Sequence, residues 1–145
     1  MQRRTLVAAA AAFGLTSTAL SAFAAEKGTQ YVVLDKPLPN AEGTLIKVFS
    51  YDCPFCYKYD VGVDPRVLPR IEKEVGLKFK PIHLETKGTY GRCASVFLAM
   101  CMLRDEKAGV SIEDKNSLFK KAKDAIYNAY HRKQERWTAG ESAFL

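Results

Sequence analysis

The sequence predicts an α/β chain: a strand–strand–helix–strand segment followed by a helical one. Three observations predict it. Residues 31–34, 44–51 and 77–84 are short runs rich in β-branched or aromatic residues, or alternating in polarity. Between the second and third runs, apolar residues recur every three or four positions. From residue 89 onward the apolar spacing is helical and no strand signal returns.

The N-terminus sets the compartment. Arg3 and Arg4 precede an alanine-rich apolar run over residues 5–20, and Ala22-Phe23-Ala24 supplies a small-x-small cleavage pattern. Residues 1–24 therefore read as a secretory signal peptide, with cleavage near Ala24. A membrane anchor is the alternative, but alanine is only weakly apolar and a spanning helix needs roughly 18 strongly apolar residues. The arginine pair also fits a twin-arginine signal. Losing this segment removes two arginines and no acids, so the formal charge falls from +6 to about +4. That mild excess, without arginines interleaved with aromatics, excludes a nucleic-acid binder. The mature chain is expected to be soluble, since no second long apolar run exists, and periplasmic, where disulfides persist.

The elements are taken in chain order. Tyr31-Val32-Val33-Leu34 reads as a short strand, and Pro37, Pro39, Asn40 and Gly43 as a turn region. Residues 44–51 give the strongest strand signal and suit a central strand buried on both faces. A helix starts at Cys53 or Pro54, where proline's missing N–H costs nothing. Gly62 to Pro65 interrupts it. A second helix over 66–75 presents Val67, Leu68, Ile71 and Val75, tolerates Pro69 only in its first turn, and stops at Gly76. Residues 77–84 form a third strand whose far end Pro81 assigns to an edge or bulge. The strand–helix–strand order implies a parallel pair. Cys93, Phe97, Met100, Cys101 and Arg104 then share one helix face. Ser111 caps a following helix whose apolar face is Leu118, Ala122, Ala125, Ile126 and Ala129.

The chemistry lies at the first strand-to-helix junction, in Cys53-Pro54-Phe55-Cys56. A cysteine where helix amides are unpaired gains a stabilised thiolate. A stabilised thiolate leaves readily and makes its disulfide more oxidising. The second cysteine, one turn on, closes the disulfide with little backbone movement. A purely structural disulfide and a zinc site are the alternatives. Cys93 and Cys101 are eight residues apart and supply no second close pair, which weighs against zinc.

Residues 48–59, Val-Phe-Ser-Tyr-Asp-Cys-Pro-Phe-Cys-Tyr-Lys-Tyr, resemble the active-site segment of the DsbA-type oxidoreductases, with Phe55 most similar to the DsbL subgroup. The resemblance covers roughly residues 30–137. It implies a thioredoxin-like fold with a helical domain inserted after the third strand. Residues 25–88 would then be the N-terminal part of the thioredoxin-like domain, and 89–145 an incomplete helical insertion. It also implies that Cys53 is the nucleophilic and Cys56 the resolving cysteine, with Pro54 and Phe55 shaping the pair, and that no cofactor or metal is needed. The expected partners are reduced exported proteins and a quinone-linked membrane reoxidase of DsbB or DsbI type, and the chain is expected to be monomeric. Many members carry histidine at the position of Phe55, and Asp52 would oppose a nearby thiolate. No proline follows the helical part, so the family's cis-proline loop and last strands are expected to be missing. A truncated, inactive product and a reductase or isomerase are the alternative functions.

The other candidates have plainer readings. Cys93 and Cys101 lie about 12 Å apart along a helix, too far for a bond, and read as buried free cysteines. A bond from one of them to a cysteine in sequence not present is the alternative. His83 reads as a satisfied structural histidine, with a proton shuttle as the alternative, and His131 as solvated. Arg132, Lys133 and Arg136 read as a wet helix face, with steering of acidic partners as the alternative. Trp137 reads as a core anchor.

Overall fold

The computed structural model describes residues 25–144; the expected signal segment lies outside the described residues. Residues 25–37 form a unit of their own, with one isolated bridge between Lys27 and Tyr31. The expected strand at 31–34 does not form: these residues are exposed and join no ladder. β-branched residues favour extended backbone, but a strand exists only where a neighbour takes its hydrogen bonds.

The remainder is one unit. Strand β1 (Thr44–Phe49) leads to helices α1 (Pro54–Gly62) and α2 (Asp64–Val75), strand β2 (Lys78–His83), α3 (Gly91–Lys107), α4 (Leu118–Tyr127), a π-helical turn (Asn128–Arg132) and the short α5 (Glu141–Phe144). The two strands pair in parallel, Thr44 opposite Lys78 and Phe49 opposite His83, as the strand–helix–strand order requires. The ladder runs from Lys78 N to Gly43 O and on to Leu84 N donating to Phe49 O. Its donors on the β2 side are thus the even-numbered residues. Pro81, an odd-numbered residue, turns its missing N–H to the outer edge, where it costs nothing.

Three expectations about packing are corrected. β1 is not buried on both faces: most of it is half-buried and Val48 is exposed, because only one neighbour covers it among the described residues. Pro69 is not in a first turn. α2 starts earlier, on Asp64 and Pro65, so Pro69 falls sixth and inside the helix, and only Leu68 of the expected apolar face is buried. On α3 the buried stripe is Gly91, Ala94, Leu98, Cys101 and Asp105, one residue round from the predicted one. Phe97, Met100 and Arg104 face outward. Two adjacent stripes of α3 are apolar, and periodicity alone does not say which one meets the core.

The fourth correction is a cap. Ser111 only closes a local turn with the Glu113 amide, while α4 begins at Leu118 with Ser117 as its cap. Asp105, buried on α3, explains the choice. Its carboxylate accepts the Leu118 and Phe119 N–H groups at 2.8 and 2.9 Å and the Ser117 hydroxyl at 2.8 Å. Burial alone would raise the Asp105 pKa, but these bonds outweigh it and hold it low. A charge on α3 thus fixes where α4 begins. On α4 the buried residues are Phe119, Ile126 and Tyr127, while Leu118 and Ala125 of the expected face are exposed. Lys123 is half-buried and pairs with Asp60. The core joins Phe49, Tyr51, Ala94, Leu98, Cys101, Phe119, Ile126 and Tyr127. It brings α3 and α4 against the start of α1.

Candidate active site

The site is built by the turn between β1 and α1. Cys53 occupies the cap position of α1 with extended backbone, and Pro54 follows at the first helical position. The Cys53 side chain does a cap's work: its Sγ accepts the Cys56 N–H at 3.3 Å. All four cysteines are free. Burial pushes the Cys53 thiol up, but hydrogen bonds from the Cys56 thiol and from the Cys56 and Phe55 amides, together with the Lys87 charge, outweigh it and leave the pKa lowered. Cys56 shifts the opposite way. Burial and its bond to Cys53 raise it, against smaller lowering effects from Ser50 and Lys47. Two thiols one turn apart therefore differ in acidity, and the outer one is the more acidic.

Their surroundings differ as well. Cys56 packs against the core cluster, whereas Phe55 is 70% exposed and stands beside Lys58, whose ammonium is 5.6 Å from the ring centroid. Asp52, expected to oppose a thiolate, is compensated. It accepts the Ser50 hydroxyl at 2.6 Å and lies 3.8 Å from Lys87 Nζ.

Behind the motif, Tyr51 is buried and held at every polar atom. Its hydroxyl accepts the Tyr90 N–H at 3.0 Å, its N–H donates to His83 Nε2 at 3.0 Å, and its carbonyl lies 2.8 Å from His131 Nε2. Gly88 permits this approach: it has a φ of +84°, and a Cβ there would lie 2.8 Å from the Tyr51 hydroxyl. His83 is satisfied, as the sequence suggests, with Nδ1 2.7 Å from Ser95 Oγ; burial lowers its pKa to about 4, against a smaller raising effect from Asp52.

His131 is the residue that sequence reasoning missed. Expected in solvent, it is half-buried, with its ring flat on Tyr57 at 4.7 Å between centroids. The available signal was the aromatic series Tyr127, Tyr130 and His131, spaced as neighbours on one helical face. The basic cluster is not a helix face either. The helix ends at Arg132, and Gln134 has a positive φ of 59°. Arg132 donates to the Tyr57 hydroxyl at 2.7 Å, and Arg136 lies over Tyr130. Trp137 anchors the end of the chain, half-buried among Tyr51, Tyr90, Tyr130 and Phe144. Cys101 is buried as expected and belongs to the core cluster against which Cys56 packs, while Cys93 is only half-buried. Among the described residues no group of three or more His, Cys, Asp or Glu could hold a metal ion.

No protein-family model matches the chain. Curated relatives do. It is 52% identical over 142 residues to the thiol:disulfide interchange protein DsbL of Escherichia coli O6:H1, a match covering 97% of this chain and 61% of that protein. It is 33% identical over 101 residues to DsbA of Salmonella typhi, covering 67% of this chain and 44% of that one. The crystal structure of DsbL from Salmonella enterica serovar Typhimurium superposes with a TM-score of 0.72 at 51% identity, covering 83% of this chain and 60% of that one. The thioredoxin-like α/β reading agrees with this neighbour. The chain spans about 61% of the length of the curated DsbL it matches, and over that span it belongs to the DsbA-type thiol:disulfide interchange proteins, close to the DsbL members.

Proposed function

We propose that the chain is a periplasmic thiol:disulfide oxidoreductase that introduces disulfides into exported proteins through Cys53 and Cys56. The observation that carries this reading is the cap geometry, in which Cys53 Sγ takes the Cys56 N–H at 3.3 Å at the start of α1 and has a lowered pKa.

The reaction starts from the oxidised pair. A substrate thiolate attacks Cys53 Sγ, the Cys53–Cys56 bond breaks, and Cys56 leaves as a thiolate that takes a proton. A second substrate thiolate then attacks the substrate sulfur of the mixed disulfide. Cys53 leaves as its stabilised thiolate, the substrate gains a disulfide, and two electrons stay on the cysteine pair. The more acidic Cys53 is the better leaving group, so release of oxidised substrate is favoured. Cys56, raised in pKa and set against the core, suits the resolving role. Pro54 fixes the first helical turn, and exposed Phe55 offers an apolar contact to an incoming chain.

The reading includes a cleaved signal peptide over residues 1–24, a thioredoxin-like part over 25–88 and a helical insertion over 89–145. It also includes a monomeric protein and reoxidation by a quinone-linked membrane protein of DsbB or DsbI type.

The test is oxidation of a reduced model protein by the oxidised chain, with Cys53→Ala as control. Disulfide formation that disappears in Cys53→Ala supports the reading. Equal, background-level oxidation by both chains overturns it.

A further inference from the structure

The backbone of Tyr51 is gripped by two histidines in opposite hydrogen-bonding roles. Its N–H can only donate, so His83 Nε2 at 3.0 Å accepts, and the His83 proton sits on Nδ1 toward Ser95 Oγ. Its carbonyl can only accept, so His131 Nε2 at 2.8 Å carries a hydrogen. His83 ends the strand beside β1, as its place in the ladder requires. His131 comes from far along the chain, on a turn that departs from α-helical geometry: Lys133 N donates to Asn128 O, five residues back, at 3.0 Å. One extra residue in that turn rotates the chain beyond it relative to α4. Such turns recur at functional sites.

His131 touches the motif from both ends. Its hydrogen bond reaches the carbonyl two residues before Cys53, and its ring lies within 6° of parallel on Tyr57, the residue after Cys56. We propose that His131 is a positioning residue for the Cys53–Cys56 pair, fixing the turn that presents Cys53 to the first amides of α1. This rests on the oxidoreductase reading above. Two physical reasons make the contact matter. The Cys56 N–H reaches Cys53 Sγ at 3.3 Å, so a small drift of residues 50–53 weakens the bond that stabilises the thiolate. A Tyr51 carbonyl without its donor would also lose the contact that holds the residue two before Cys53 in place.

The experiment compares the full chain with His131→Phe, which keeps a flat ring and loses the donor, and His131→Gln, which keeps a donor and loses the ring. For each, ultraviolet thiolate absorbance gives the Cys53 titration midpoint, equilibration with glutathione gives the redox balance, and thermal melting reports stability separately. His131→Phe is expected to raise the midpoint and shift the glutathione equilibrium about three- to tenfold toward the disulfide, the size of one lost hydrogen bond. His131→Gln is expected to stay within about twofold of the parent. A lower melting temperature with unchanged midpoint and equilibrium in His131→Phe overturns the proposal and leaves His131 a packing residue. If His131→Phe does not fold, His131→Gln decides: a shift within about twofold supports the donor role, and a larger one overturns it. A parent chain whose Cys53 titrates as an ordinary thiol overturns the oxidoreductase reading instead.

Discussion

Cys53 caps α1 with its own side chain, with Cys56 one turn on, whereas Cys93 lies third in α3 and Cys101 well inside it. At the start of α1 the amides are unpaired, and Cys53 takes up one of them. On α3 neither thiol takes up a helix amide; burial and neighbouring carboxylates dominate, and Arg104 offsets them only in part at Cys101. Burial and Glu141 raise Cys93, and burial and Asp105 raise Cys101. Of the four thiols only Cys53 is shifted toward the thiolate, so acceptance of helix amides at the cap, more than residue type or mere nearness to a helix start, decides which cysteine is suited to chemistry.

The sharpest way to break this comparison is selective alkylation. With the chain fully reduced at pH 6, Cys53 is expected to react with iodoacetamide more than about tenfold faster than Cys93 or Cys101, by peptide mass spectrometry. Comparable rates at Cys53 and Cys93 would remove the distinction.

Next in size is the carboxylate that organises α3 and α4. Asp105→Ala leaves the Leu118 and Phe119 amides without their acceptor, at an expected cost of about 2–3 kcal/mol in urea unfolding. The same change lowers the Cys101 pKa, by removing a charge that raises it, and leaves the Cys53 titration where it was. Movement of Cys53 as well would mean that the two regions are electrostatically joined.

A fall in pH should act on the support of the motif. The His83 pKa is depressed from 6.5 to about 4 by burial, so the unfolded chain binds the extra proton first. Stability from this group is complete above pH 6.5 and is lost as pH falls toward 4, by about 2 kcal/mol once partial solvent screening is allowed for. Protonation also removes the acceptor of the Tyr51 N–H. Unfolding midpoints measured from pH 7 to 4, with His83→Gln as the flattened control, check this.

The smallest effect is expected at Phe55. Because it is exposed, Phe55→His should change stability by less than about 0.5 kcal/mol, while lowering the Cys53 titration midpoint through an added donor. An unchanged midpoint would show that the helix amides already dominate.

The motif and its helix were legible in the sequence because their physics is local. Cys53, Pro54 and the amide of Cys56 lie within four residues, and spacing alone brings them together. The parallel β1–β2 pair and the edge position of Pro81 were legible for another reason: strand–helix–strand order leads to a parallel pair, and proline cannot donate to a ladder. The features that were not legible depend on distant partners. Ser117 outcompetes Ser111 as a cap because Asp105, twelve residues earlier, supplies the acceptors. The buried stripe of α3 is chosen by the groups that pack on it, and residues 31–34 join no ladder among the described residues. His131 reached the site through a π-helical turn that no periodicity announces.

The central claim concerns one thiol, and one titration tests it. Thiolate absorbance of the reduced chain is followed against pH, with Cys53→Ser subtracted to isolate Cys53. The expected midpoint lies below the ordinary thiol value of about 8.5. A midpoint at or above that value would contradict the claim.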